Sequence, residues 1–117
     1  MEDNRRKHKR FEAAVNAEIE VDELVLEGQT RDISNGGVSV LVDEPLDEGV
    51  TVAVTLILTE DGIESAHEES FTAPASVMWT APTDAGACLA GLRFGNLDGR
   101  QTGRLQRFLA ALAENKR

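Results

Sequence analysis

At 117 residues and a formal charge of −9, the chain is long enough for one hydrophobic core and too short for two. Apolar residues make up 41% of it but aromatics only 4%, so the core has to be built mainly from Val, Leu, Ile and Ala. The longest apolar run, Val50 to Leu58, is broken by Thr51 and Thr55 and falls far below the ~20 residues needed to cross a bilayer, which excludes insertion through a helix.

The chain opens on a basic run, Arg5-Arg6-Lys7-His8-Lys9-Arg10. Residues 1–10 carry +3 and residues 100–117 carry +4, while residues 11–99 carry −16, with Arg31 and Arg93 as their sole bases. A basic knot beside so acidic a body suits a small, local anionic ligand. A nucleic-acid backbone would be repelled beyond its first contacts, so no nucleic-acid partner is expected. With like charges and no apolar anchor before Phe11, residues 1–10 are expected to be mobile without ligand. No apolar stretch follows this run, as a secretory signal would require, and the single Cys88 makes no internal disulfide, so a cytoplasmic location is expected.

Phe11, Ala13, Val15, Ala17, Ile19 and Val21 alternate with mostly polar residues, which predicts one half-buried strand over 11–21. A turn at Asp22-Glu23 leads to a second strand, Leu24 to Ile33, containing Gly28. Ser34-Asn35-Gly36-Gly37 reads as a tight turn in which the two glycines supply left-handed backbone positions. Val38, Val40 and Val42 predict a third strand, ended by Pro45 to Gly49. Val50 to Leu58 predicts a fourth. Residues 60–70 are acidic and aperiodic and read as a surface loop, with Ser65 and Glu68 spaced as a capping box for one helical turn.

Phe71 to Thr80 and Gly86 to Phe94 predict the last two strands, joined by a turn at Ala81-Pro82-Thr83-Asp84. The period then changes. Asp98 is placed to cap a helix with Gln101 three residues on, and Leu105, Phe108, Leu109 and Leu112 form an apolar stripe. Gly103 costs this helix about 1 kcal/mol against Ala, so its stability has to come from packing across an open end or face of the sheet. Arg100, Arg104 and Arg107 fall on its other side, where they either face solvent, extend the positive field or meet a partner. The architecture is a single all-β domain over 1–117: an arginine-rich segment (1–10), a six-stranded antiparallel β-barrel (11–95) and a C-terminal helix (98–115).

Two segments carry candidate chemistry. Arg6 and Arg10 stand four apart at the mouth of the first strand, and Asp32-Ile33-Ser34-Asn35-Gly36-Gly37 joins the second to the third. In a small meander the two meet at one end of the barrel. Arginine forks match phosphate oxygens or the O6/N7 edge of guanine. A carboxylate accepts from guanine's N1 and N2, a serine hydroxyl suits a phosphate oxygen, and glycine admits close approach of backbone N–H groups to an anion. Together they describe a pocket for a guanine nucleotide with exposed phosphodiesters. A turn such as this also closes a hairpin without any ligand, and the two roles are compatible.

These two elements resemble the RxxxR and [D/N]xSxxG motifs of the PilZ domain family, receptors for the bacterial second messenger cyclic di-GMP. Phe11, Ala75-Ser76-Val77-Met78-Trp79 and Gly91-Leu92-Arg93-Phe94 are also similar to the family, so the resemblance covers nearly the whole chain. It implies a six-stranded barrel with a C-terminal helix. It implies further that Arg6 and Arg10 clasp guanines and phosphates, that Asp32, Ser34 and Gly37 line the facing wall, and that Arg5 is an additional contact. No counterpart of the N-terminal domain of flagellar-brake relatives is expected, which puts that particular output in doubt.

Trp79 is expected in the core, with stacking on a guanine as the alternative. Cys88 is expected to be a small core residue. Two histidines and one cysteine far apart offer no metal site. Catalysis is not expected, because Ser34 lacks a nucleophile elbow and no phosphate-binding loop is present. The expected function is a non-catalytic receptor that binds cyclic di-GMP, needs no cofactor, and signals as a monomer or weak dimer to a protein partner in a pathway such as motility. The alternative is a PilZ-fold module that works by protein contacts and binds no nucleotide.

Overall fold

The computed structural model describes residues 11–58, 69–83 and 86–115, excluding the side chains of Phe11, Leu58, Glu69 and 112–115. The chain begins with a short strand, β1 (Phe11–Glu12), and continues into β2 (Asn16–Val21), β3 (Leu24–Ile33) and β4 (Gly37–Val42), an antiparallel meander. A second meander follows, β5 (Thr51–Leu58), β6 (Glu69–Pro82) and β7 (Cys88–Phe94). β2 pairs with β5 and β4 with β7, so the ring runs β2-β3-β4-β7-β6-β5 and closes into a six-stranded antiparallel barrel. Closure removes the exposed edges that an open sheet of this size would present.

The order departs from a plain meander. β4 and β5 stand on opposite sides of the ring, and residues 43–50 cross one end of the barrel to join them. Leu46 of this crossing is buried against the core. Inside, the period-two residues meet as the sequence predicts: Ala17 and Ile19, Val38 to Val42, Val52 to Leu56, Phe71 to Val77, and Ala90 to Phe94. Phe71 and Phe94 pack edge to face, with ring centroids 5.4 Å apart. Cys88 is a buried free thiol, as expected of a small core residue.

The other end of the barrel is closed by α1 (Gly99–Asn115), which packs on β6 and on β1. β6 and β3, the partner of β1, face each other across the ring, so the helix spans the mouth. Leu105, Phe108 and Leu109 are its buried stripe. The predicted cap is present in both directions: the Gln101 N–H donates to Asp98 Oδ1 at 2.8 Å, and the Asp98 N–H donates to Gln101 Oε1 at 3.0 Å. Gln101 and Arg104 also donate to the Thr72 and Ser70 carbonyls of β6, at 3.2 Å each, so the exposed Arg104 is tied to the barrel.

Three local expectations are corrected. First, the strand expected over 11–21 breaks between β1 and β2. Opposite the break β3 carries a bulge between Thr30 and Asp32, and the Thr30 hydroxyl accepts the Val15 N–H at 2.9 Å while donating to the Ala13 carbonyl. A side chain thus replaces a rung of the ladder, and the in-out alternation through Val15, Ala17 and Ile19 survives. Second, β6 runs through Pro82, which pairs with Cys88, so Ala81 and Pro82 belong to the strand and not to the turn.

Third, the left-handed glycines among the described residues are Gly49 and Gly86, not Gly36 and Gly37. The Asp22 turn does take a left-handed residue, Asp22 itself at φ 57°. As the strand expected over Phe71 to Thr80 requires, Pro74 sits within β6 without breaking it. Its carbonyl accepts the Gly95 N–H at 2.8 Å, just past the end of β7, so its missing donor faces a position where the neighbouring strand has ended. Residues 60–68, with the Ser65 to Glu68 capping box, lie outside the described residues.

Candidate ligand-binding site

The end of the barrel spanned by α1 is also where β3 turns into β4 and where the chain enters through β1. Phe11 stands opposite Ile33, and Glu12 opposite Asp32. The first described residue therefore lies one register position from Ser34. Arg5, Arg6 and Arg10 themselves, with the mobility expected of residues 1–10, lie outside the described residues.

The turn is self-sufficient. Ser34 is 1% exposed, and its hydroxyl accepts the N–H groups of Gly36 at 3.1 Å and Gly37 at 3.3 Å, while its own N–H donates to the Gly37 carbonyl at 2.8 Å. The Gly36 carbonyl accepts the Phe94 N–H at 3.0 Å, which pins the turn to β7. Gly37 is demanded by space: a Cβ there would lie 2.1 Å from the Leu92 carbonyl oxygen of β7. Ser34 and Gly37 thus have structural duties that a sequence motif does not reveal.

Residues directly opposite each other in antiparallel strands share a face. The pairings Glu12 with Asp32, Asp32 with Ser39, Ser39 with Gly91 and Gly91 with Trp79 therefore define one row around the outside of the barrel, from β1 across β3, β4 and β7 to β6. Beside it, a parallel row holds Gly37, Arg93 and Ser76. At about 4.8 Å per strand, Arg93's strand lies two strands, or about 10 Å, from that of Asp32, and Trp79's about 14 Å. Between these limits the wall carries Ser39, Gly37 and Gly91, side chains no larger than a hydroxymethyl. The result is a stretch of small residues with a half-buried carboxylate at one side and an aromatic and a guanidinium at the other.

Trp79 is not a core residue. It is 42% exposed, and its indole lies over Gly91, where a Cβ would be 2.2 Å from Nε1. A bulge between Val77 and Trp79 turns both Met78 and Trp79 outward; Met78 is 50% exposed. The sequence showed Trp79 in a strand but not the bulge, which shifts the alternation by one. Sequence reasoning also passed over Ser39, Gly91 and Arg93 as site residues, since only the register of β4 with β7 aligns them with Asp32. Among the described residues no cluster of His, Cys, Asp or Glu is arranged to hold a metal, and no helix is long and apolar enough to cross a membrane.

Comparison with solved structures finds the same fold. The PilZ domain with c-di-GMP of YcgR from Escherichia coli superposes with a TM-score of 0.74 at 21% identity, over 97% of this chain and 95% of that one. The Bacillus subtilis inhibitor of motility MotI/DgrA gives 0.74 at 18% identity over 96% of this chain, which spans about half (53%) of that protein. The PilZ domain of CeSA from a cellulose-synthesizing bacterium gives 0.62 at 20% identity, over 90% and 98%. Comparison with curated protein sequences gives no match. The PilZ domain family model matches residues 4–111, and with the closed barrel, the helix across its mouth and the turn at its rim, this chain belongs to the PilZ domain family.

Proposed function

We propose that the protein is a non-catalytic receptor for cyclic di-GMP, with Arg6 and Arg10, assisted by Arg5, on one side of the ligand and the outer wall at Asp32, Ser34, Gly37 and Trp79 on the other. The observation that carries this reading is the register of β1. Phe11 opposite Ile33 and Glu12 opposite Asp32 bring the chain to the rim of the turn, and Arg10 is the residue that precedes Phe11 in the sequence. The wall beside Asp32 is built of small residues, Ser39 and Gly37, with the Trp79 indole over Gly91 beyond them, which suits the approach of a planar base. Asp32 accepts from the N1 and N2 donors of guanine, the arginines fork onto phosphate or the O6/N7 edge, and the exposed Trp79 face offers a stacking surface.

The output follows from the same register. β1 is paired to β3 and packed against α1, so a ligand that fixes the segment before β1 biases the helix that spans the mouth. A protein partner then reads the arginine segment and α1 together.

A second reading has its own support. Ser34 and Gly37 are accounted for by the turn and the β4–β7 approach, so the motif is compatible with a barrel that binds partners and no nucleotide. Titration calorimetry separates the two. The receptor gives saturable heat with cyclic di-GMP and none with GTP or cyclic AMP. Absence of heat and of amide chemical-shift change with all three would favour the interaction module.

A further inference from the structure

The outer face of the β6–β7 ladder holds a groove of about 320 Å³ beyond the stretch of small residues described above, lined by Ser76, Met78, Arg93, Phe94, Gly95 and Asn96. Its volume is at the low end of small-molecule sites. The neighbouring elements bring it beside the turn: Arg93 is registered opposite Gly37 on one side and Ser76 on the other, and the Phe94 N–H is bonded to the Gly36 carbonyl.

Arg93 is one of two bases in residues 11–99, a segment of net charge −16. It is exposed, and among the described residues its side chain forms no hydrogen bond or ion pair. Gly37 beside it contributes no side chain, so nothing larger than a hydrogen stands between the Arg93 position and the turn on that side. A single fork of donors in an otherwise acidic field makes a local anion site, and its planar shape matches a phosphodiester or the O6/N7 edge of a purine. Met78, half exposed beside it, supplies apolar cover for a base, and Asn96 offers both a donor and an acceptor.

We infer that this groove is a distal subsite of the ligand wall, in which Arg93 grips the phosphodiester or Hoogsteen edge of the half of the cyclic dinucleotide farther from Arg6 and Arg10. The inference rests on the receptor reading above and extends it to a residue outside both arginine and aspartate motifs. A separation of about two strands between Asp32 and Arg93, roughly 10 Å, sets the carboxylate on one half of the ligand and the guanidinium on the other.

The test is calorimetric titration of cyclic di-GMP into the full chain and its Arg93→Ala, Arg10→Ala and Ser76→Glu variants, with unfolding midpoints measured alongside. Arg93→Ala is expected to weaken binding about tenfold or more at an unchanged midpoint, because the side chain is exposed and unpaired among the described residues. Ser76→Glu, which sets a carboxylate against Arg93, is expected to weaken binding similarly and serves if Arg93→Ala fails to fold. On titration of the wild type, the Met78 methyl and Asn96 side-chain amide resonances should shift. Wild-type affinity in Arg93→Ala and Ser76→Glu, together with loss in Arg10→Ala, overturns the distal subsite and leaves the receptor standing. No binding by the wild type removes the receptor and the subsite together.

Discussion

Gly37 and Gly91 present nearly the same clash on paper and should respond to Ala to very different degrees. At Gly37 a Cβ would sit 2.1 Å from the Leu92 carbonyl oxygen, with the Arg93 Cα at 3.2 Å, so what must give way is the β7 backbone. The backbone conformation is not left-handed there, so the cost is purely one of space. Separating β4 from β7 strains the ladder that closes the barrel, and overpacking of this kind costs about 1–3 kcal/mol or more. For a domain of this size each kcal/mol lowers the unfolding midpoint by about 4 °C, so Gly37→Ala should fall by about 4–12 °C.

At Gly91 the Cβ meets Nε1 and Cε2 of Trp79, at 2.2 and 2.3 Å, in a side chain already 42% exposed. The indole swings outward. Uncovering about 50 Å² of it costs about 1.3 kcal/mol, and the stiffer unfolded chain returns about 0.4–1 kcal/mol. Gly91→Ala should therefore lose less than about 1 kcal/mol. Trp79 is the single tryptophan of the chain, so its emission reports the event directly. Native-state fluorescence should shift to the red in Gly91→Ala and stay in place in Gly37→Ala, with circular dichroism following the melts. Equal destabilisation of the two variants, or an unmoved emission maximum in Gly91→Ala, would refute the distinction between a rigid carbonyl and a yielding ring.

Three further outcomes are expected. Arg6→Ala and Arg10→Ala should each weaken cyclic di-GMP binding at least about tenfold by calorimetry with the fold intact, since charge-assisted hydrogen bonds contribute about 1.5–3 kcal/mol; wild-type affinity in both would remove these residues from the site. Thr30→Val leaves the Val15 N–H and the Ala13 carbonyl without their bridge, which should cost about 1–3 kcal/mol and accelerate amide exchange at Val15, and, by loosening the approach of β1 to the rim, should also lower ligand affinity. Asp98→Ala removes one half of the reciprocal cap and should lower stability by about 1 kcal/mol in thermal unfolding, with Gln101→Ala costing at least as much because it also releases the Thr72 carbonyl.

What the sequence by itself determined is what depends on neighbours along the chain. Alternation assigns Val38, Val40 and Val42, or Val52, Val54 and Leu56, to an inner face wherever their partners stand. The Asp98 and Gln101 pair closes on itself within one turn, and the i, i+3, i+4 stripe of Leu105, Phe108 and Leu109 needs only a surface to cover. The two motif segments are likewise legible as text, and with them the family.

Only the tertiary structure decided which strands touch. β4 beside β7, not β5, is a choice between pairings that have equal local propensity, made by burial of the whole inner face at once. That choice aligns Asp32 with Ser39, Gly91 and Trp79, and Gly37 with Arg93. The bulges at Thr30 and Met78 follow from it too, because a closed ring of six strands must coil more tightly than a flat ladder permits. Trp79 faces solvent for that reason, although its place in an apolar strand suggested the core, and the need for glycine at Gly37 comes from a carbonyl more than fifty residues away.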